Sequence, residues 1–282
     1  MNLKLAIVTD STCDLGTDYL QQYGIYVLPL RVIYGDKEYY DGVDITPEEV
    51  YRRFPDEVPT TSMPGPGDVE KLFQELKNKG YDHVICLHIS SGLSGTFNVV
   101  KMVAKSFPEL KIEVIDSKAL SLGLGFLVMK AVQLKNLGVK FNELVQQIEE
   151  TRRKTKIFFV IKTLEYLKKG GRIGLIQASF GELLDIKPIV SINEEGKYYT
   201  YAKARGRKKS IQKLLDIFQE LTAGKRITLA VMHGDAEEEC ISFLEKILKN
   251  SNTMITRHFT GQIGPGMVVH SGPGLLGFAF QE

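Results

Sequence analysis

Three short stretches carry the side chains best suited to holding an anion: Thr60-Thr61-Ser62-Met63-Pro64-Gly65, His88-Ile89-Ser90-Ser91-Gly92-Leu93-Ser94-Gly95-Thr96 and His270-Ser271-Gly272-Pro273-Gly274. Each pairs hydroxyls or an imidazole with glycine and proline. Glycine lets backbone amides come close to a ligand because it has no Cβ, and hydroxyls and imidazole donate hydrogen bonds. The chemistry such a set can do is that of an anion cradle. Where a loop of this kind opens a helix, free N–H groups and the helix dipole add attraction for negative charge. The same composition also suits three ordinary surface turns.

Other chemistries fit less well. A phosphate-binding loop needs Gly-x4-Gly-Lys-Ser/Thr, and Gly92-Leu93-Ser94-Gly95-Thr96 has no lysine beside its hydroxyl. A serine hydrolase elbow needs Gly-x-Ser-x-Gly, and threonine stands where the last glycine belongs. An altered elbow with Ser94 as nucleophile and His270 as base remains an alternative reading. His83, His88, His233, His258 and His270 show no metal-ligand spacing. Cys13, Cys86 and Cys240 are isolated, which argues against a disulfide framework and a zinc site and for buried free thiols. The basic run Arg205-Gly206-Arg207-Lys208-Lys209, with Lys168, Lys169 and Arg172 as a second cluster, could grip nucleic acid or an acidic partner. No aromatics interleave it for base stacking, so it reads first as a solvated helix start.

The elements that must position these residues follow a strand, polar loop, helix grammar. Leu5 to Thr9 is an apolar run ending in Asp10-Ser11-Thr12-Cys13-Asp14, and 25–30, 32–34, 84–88 and 112–116 read as further extended segments. Thr46-Pro47-Glu48-Glu49 combines an N-cap, an N1 proline and a capping glutamate. Residues 68–79, 95–106, 119–136 and 142–154 carry helical spacing. This predicts an α/β/α first domain, 1–154, with a mostly parallel sheet whose ligand sits at the carboxyl ends of the strands, so that the loops at 10–14, 88–96 and 116–121 share one edge. From about 155 the pattern changes: strands near 157–161, 188–192, 197–201, 227–232, 254–259 and 276–280, helices at 163–169, 175–184 and 237–249. It predicts a second α/β domain, 155–282, with a mixed, largely antiparallel sheet.

With 282 residues, 43% hydrophobic and 25% charged, the chain reads as a soluble globular protein of two domains. The 36 Lys and Arg nearly balance the 34 Asp and Glu, so no strong field for nucleic acid or anionic membrane is implied. No stretch of about 20 apolar residues and no signal-peptide pattern occurs, so a cytoplasmic location is expected.

Taken together, Val8-Thr9-Asp10-Ser11-Thr12, Thr60-Thr61-Ser62-Met63-Pro64, Ser90-Ser91-Gly92-Leu93-Ser94-Gly95-Thr96, Asp116-Ser117 with Gly123-Leu124-Gly125, Leu164-Glu165-Tyr166-Leu167-Lys168-Lys169-Gly170-Gly171-Arg172-Ile173, Lys187-Pro188-Ile189, Arg205-Gly206-Arg207 and His270-Ser271-Gly272-Pro273-Gly274 resemble, in order and spacing, the DegV family. The resemblance spans essentially the whole chain. It implies a bacterial fatty-acid-binding protein, similar to the binding subunit of fatty acid kinase, with one acyl chain held between the two domains. It further implies an ATP-using kinase subunit as partner, which turns the presented acid into acyl phosphate for phospholipid synthesis. Residue by residue, the resemblance puts head-group contacts on Thr61, Ser62, Ser94, the Gly95 amide and His270, and partner docking or phosphoryl transfer on Arg172 and Arg205.

A carboxylate taken from water without partners costs several kcal/mol, and hydroxyls, an amide and an imidazole can satisfy it. A tail of about 15 methylenes buried at roughly 0.8 kcal/mol each contributes on the order of 12 kcal/mol gross. Ile89, Leu120, Leu122, Leu124, Phe126 and Phe180 are apolar residues suited to line its tunnel, although ordinary core would look the same. The expectation is a lipid carrier that does not itself catalyse, with no cofactor, no nucleic acid and at most transient membrane contact. The alternatives are a serine-type acyl hydrolase and a nucleic-acid-binding regulator using the basic clusters.

Overall fold

The computed structural model describes residues 4–179, 185–250 and 252–282. The elements of the first half are β1 (Leu5–Asp10), α1 (Thr17–Gln22), β2 (Tyr26–Leu28), β3 (Arg31–Tyr34), β4 (Lys37–Tyr40), α2 (Pro47–Arg53), β5 (Thr60–Ser62), α3 (Pro66–Asn78), β6 (His83–His88), α4 (Thr96–Ala104), β7 (Lys111–Asp116), α5 (Leu122–Asn136) and α6 (Phe141–Arg153). Those of the second are β8 (Thr155–Val160), α7 (Glu165–Lys169), β9 (Ile186–Ile192), β10 (Tyr198–Arg205), α8 (Arg207–Thr222), β11 (Arg226–Gly234), α9 (Glu237–Asn250), β12 (Met254–Gln262), α10 (Pro265–Ser271) and β13 (Leu275–Gln281). Short 3-10 turns occupy Ser11–Cys13 and Gly174–Ser179.

Three sheets result. One is parallel, in the order β2-β1-β6-β7. A second has the order β10-β9-β8-β13-β11-β12 and is antiparallel throughout except where β11 meets β12. The third, β4-β3-β5, is small and antiparallel. Parallel strands covered on both faces are apolar on both, and β1 is buried at all six positions. Its alternate residues face opposite ways: Ala6 and Val8 pack with Val69, Phe73 and Leu76 of α3 and Val99, Val100 and Val103 of α4. Leu5 and Ile7 pack with α5 and α6. In the six-stranded sheet, Phe158, Val160, Leu276 and Phe278 turn towards Leu214 and Phe218 of α8 and Phe243 and Ile247 of α9.

Helix α5 joins these layers. Residues 122–129 of it are apolar on every side, while Gln133 and Asn136 at its far end are exposed, and it contacts β1 and β6 of the parallel sheet as well as β8, β11 and β13 of the larger one. Leu124, Leu127 and Val128 belong to the parallel-sheet core, and Leu122 and Phe126 to the core shared with the larger sheet. Helix α2 starts as its sequence dictates: Thr46 Oγ1 accepts from Glu49 N–H and Glu49 returns to the Thr46 N–H, with Pro47 at N1.

Two expected loops turn out to be regular. Thr60–Ser62 is strand β5, paired with β3, and His270 lies in the last turn of helix α10 rather than in a glycine loop. Three and seven residues are too few to set up a readable period. The helical piece expected at 175–184 is a 3-10 turn over Gly174–Ser179, and its remainder lies outside the described residues.

The turn between β9 and β10 rests directly on the Ser90–Gly92 loop. Ser90 Oγ donates to Gly196 O at 2.7 Å, and Lys118 Nζ donates to Glu195 O at 3.2 Å. Gly196 has φ +82°, and a Cβ there would overlap Ser90 Oγ and sit 2.9 Å from Lys118 Cδ. A Cβ on Gly92 would overlap Gly196 O. Gly196→Ala is therefore expected to destabilise the protein by about 1–3 kcal/mol through overpacking and backbone strain. Urea denaturation measures this, and a midpoint equal to wild type would contradict so close a contact.

Candidate functional site

The residues singled out in the sequence converge on a cleft between the larger sheet and the carboxyl edge of the parallel one. About 920 Å³ there is not filled by protein atoms, a figure that includes open solvent. Its walls are mainly apolar: Leu30, Ile89, Leu93, Leu120, Ile157, Phe159, Leu167, Tyr198, Met232, Ile263, Met267, Leu275 and Ala279 line it. Thr12, Thr61, Ser62, Ser94, Ser121, Arg172, His270 and Ser271 supply its polar groups.

Each polar group has a structural reason for its place. Pairing with β3 fixes Thr61 and Ser62. Ser94 sits in a tight turn in which the Leu93 and Ser94 N–H groups both donate to Ser90 O, at 2.9 and 3.0 Å. Its Oγ accepts from Thr96 N–H at 3.3 Å and lies 2.9 Å from Thr96 Oγ1, which opens α4 with Gly95 as N-cap. Arg172 follows α7 and the Gly170-Gly171 stop, where its Nη1 donates to Gly170 O at 2.7 Å and its Nε to Leu93 O at 3.4 Å. His270 projects from α10 with Nε2 2.7 Å from Thr61 Oγ1. Its Nδ1 is buried without a hydrogen-bond partner against Gly170, where any Cβ would overlap the ring.

The electrostatics are simple. Burial, assisted by the neighbouring Arg172 charge, pulls the His270 pKa down from 6.5 to about 3, so the imidazole is neutral at physiological pH. In the Nε2–H tautomer the ring donates to Thr61, and the Thr61 hydroxyl is then left to donate to a ligand. Among the described residues no Asp or Glu lines the cleft, and Arg172 is the described lining residue with a permanent charge. The cleft therefore presents one cation and several neutral donors at the edge of an apolar slot. Among the described residues no group of His, Cys, Asp and Glu could hold a metal ion, and no helix is long and apolar enough to cross a membrane.

Thr61, Ser62, Ser94, Arg172, His270, Ile89 and Leu120 all face this cleft, and Gly95 stands beside Ser94 at the start of α4. Arg205 does not: it is an exposed residue at the end of edge strand β10. Leu122 and Phe126 are buried in the same core but are not among the lining residues, and Leu124 faces the parallel sheet on the other side of α5. Phe180 lies outside the described residues. Sequence reasoning missed Thr12, Ser121 and Met267, and also the floor formed by Phe159, Gly277 and Ala279. Alternation in Leu275-Leu276-Gly277-Phe278-Ala279-Phe280 was the available signal, since its odd positions include small residues where the even ones are bulky.

A family model described as an uncharacterised protein of the DegV family matches residues 4–282. A DegV domain-containing protein of Clostridium acetobutylicum is 47% identical over 281 residues, covering 99% of both chains. A DegV family protein of Thermus thermophilus, whose structure concerns fatty acid binding, superposes with a TM-score of 0.93 at 34% identity, covering 99% of this chain and 100% of its own. DegV of Bacillus subtilis, a fatty acid binding protein, superposes with a TM-score of 0.88 at 29% identity over 99% of each chain. Among such structural neighbours is also a stearic-acid-binding protein of Eubacterium ventriosum, with a TM-score of 0.85 at 28% identity, covering 99% of this chain and 98% of that one.

The His270 environment has a measurable consequence. Between about 3 and 6.5 the unfolded chain binds a proton that the folded chain refuses. Relative to His270→Gln, the wild type is expected to keep its stability above the unfolded value. It should lose that stability as pH falls towards the folded value, by up to about 1.4 kcal/mol per pH unit. Urea titrations of both proteins at neutral and acidic pH check this, and a pH-independent difference would mean that the ring is solvated.

Proposed function

The chain belongs to the DegV family, and from that premise we propose that it binds a long-chain fatty acid. The acyl chain is buried in the cleft, and the carboxylate is held by Arg172, the Thr61 and Ser94 hydroxyls, the Gly95 amide and His270 acting through Thr61, with Ser62 at the rim. The protein then offers that carboxylate to an ATP-using kinase subunit, which makes acyl phosphate for phospholipid synthesis, and performs no chemistry of its own. A cytoplasmic location suits this role.

One observation carries the reading: an apolar slot whose polar end, among the described residues, holds one permanent cation, neutral donors and no lining carboxylate. Arg172 offers the strongest single contact, because a hydrogen bond to an ionised group contributes about 1.5–3 kcal/mol. Arg205, exposed and away from the lining, fits a docking role towards the kinase subunit. The hydrolase alternative is disfavoured by geometry and basicity together. The Ser94 hydroxyl is engaged with Thr96 and His270 with Thr61, and an imidazole with a pKa of about 3 is a poor general base near neutrality. Against nucleic acid, Arg207 of the basic run is tied to Glu239, and Lys169 pairs with Glu165.

Calorimetry with palmitate and with hexadecanol separates head group from tail. Wild type is expected to prefer the acid, and Arg172→Ala to lose about 10- to 100-fold in affinity for the acid while leaving the alcohol nearly unchanged. Equal affinity of wild type for both ligands would remove the head-group assignment, and binding of neither would remove the carrier.

A further inference from the structure

Helix α10 brings His270 to the cleft, yet it is poorly equipped to stand alone. It spans seven residues, below the length at which an isolated helix is stable in water, and supplies Gly266, Met267, His270 and Ser271 to the lining. Two carboxylates from distant parts of the chain, the buried Asp41 and the half-buried Asp14, take its amino-terminal N–H groups. Asp14 Oδ1 accepts from Gly264 N–H at 2.9 Å, and Asp41 Oδ1 accepts from Gly266 N–H at 3.0 Å. Their other oxygens are engaged as well. Ser121 Oγ donates to Asp14 Oδ2 at 2.5 Å, and Ser11 Oγ donates to Asp41 Oδ2 at 2.6 Å while accepting from Leu30 N–H at 3.0 Å. Ser121 and Leu30 themselves line the cleft.

The fit requires glycine on the helix side. A Cβ on Gly264 would lie 3.2 Å from Asp14 Oδ1, and one on Gly266 2.7 Å from Asp41 Oδ2. Desolvation raises both acids, Asp14 to about 7, so the protein keeps two carboxyl groups where the surroundings disfavour their charge. Neither touches the cleft directly. What they share is the start of the helix whose last turn bears His270.

We propose that Asp14 and Asp41 are positioning residues for the head-group site, fixing α10 so that His270 Nε2 meets Thr61 Oγ1. The proposal rests on the acid-binding reading for its effect on affinity, but not for its effect on the ring. A helix start leaves free N–H groups that need acceptors, and a pair of carboxyl oxygens on Gly264 and Gly266 sets both the tilt and the rotation of α10. Losing either frees the helix to turn, and the 2.7 Å contact at its far end opens.

The test reads the His270 imidazole nitrogens by NMR in ring-labelled protein, alongside palmitate affinity. Asp14→Ala and Asp41→Ala are expected to shift or broaden the His270 signals and to weaken palmitate about tenfold, without adding to the loss seen in His270→Ala. Asp14→Asn keeps an acceptor for Gly264 and is expected to restore both readouts. Gly266→Ala leaves both acids in place but pushes Asp41 off the helix, so it should reproduce the Asp41→Ala signature even if the alanine variants fold poorly. Unchanged His270 signals in Gly266→Ala or in folded alanine variants would overturn the proposal, as would losses fully additive with His270→Ala. If wild type binds no palmitate, the carrier reading fails while the ring signals still decide the positioning role.

Discussion

Keeping the carboxylates at the junction of the two halves paired is the constraint on which the rest of this structure depends. Where the carboxyl ends of β1 and β6 meet the larger sheet, the chain buries Asp10 completely and surrounds it with donors. Its Oδ1 accepts from the Thr12 N–H and hydroxyl at 3.1 and 2.5 Å, and its Oδ2 accepts from Ile89 N–H at 2.9 Å and lies 3.0 Å from His88 Nδ1. Asp14 and Asp41 are treated the same way. An unpaired buried group costs about 1–3 kcal/mol, so this junction folds only when loops from both halves arrive together. That coupling gives the cleft a defined shape before any ligand enters it.

Much of this was legible in the sequence. Apolar runs ending in polar loops at Asp10, His88 and Asp116 identify parallel strands and the edge where a site forms, because doubly covered sheets need that pattern. The cap at Thr46 places α2 for a local reason, and local reasons survive folding. The illegible parts depend on contacts between remote segments. Arg172 reads as one of several basic residues until Gly170 O and Leu93 O turn it into the cleft, while Arg205, equally basic, ends exposed on an edge strand. Leu122 and Leu124 are indistinguishable in sequence, yet they lie on opposite sides of α5.

Where the slot lies follows from side-chain volume. On the cleft face of β13, Gly277 pairs with Phe159 of β8, and a Cβ on the glycine would come 2.7 Å from Phe159 Cβ. Ala279 follows on the same face, while Phe278 and Phe280 fill the opposite one against α8 and α9. A sheet that packs solidly on one face and is stripped of bulk on the other leaves room on the second, since close-packed interiors do not tolerate unfilled space without cost. An apolar guest of flexible shape suits such a space, and the single polar edge decides which way round it lies.

Charge then narrows the guest further. With His270 held neutral and no carboxylate in the lining among the described residues, the permanent charge they turn towards a ligand is that of Arg172. One guanidinium and neutral donors balance a monoanion. A phosphate monoester, carrying about −1.5 to −2 near neutrality, would leave uncompensated charge beside an apolar slot, where it is far more costly than in water. Protonating His270 would add the missing cation, but burial opposes it. The imidazole is therefore kept neutral by the same desolvation that makes the slot apolar, and the charge balance of the cleft follows from packing as much as from any one contact.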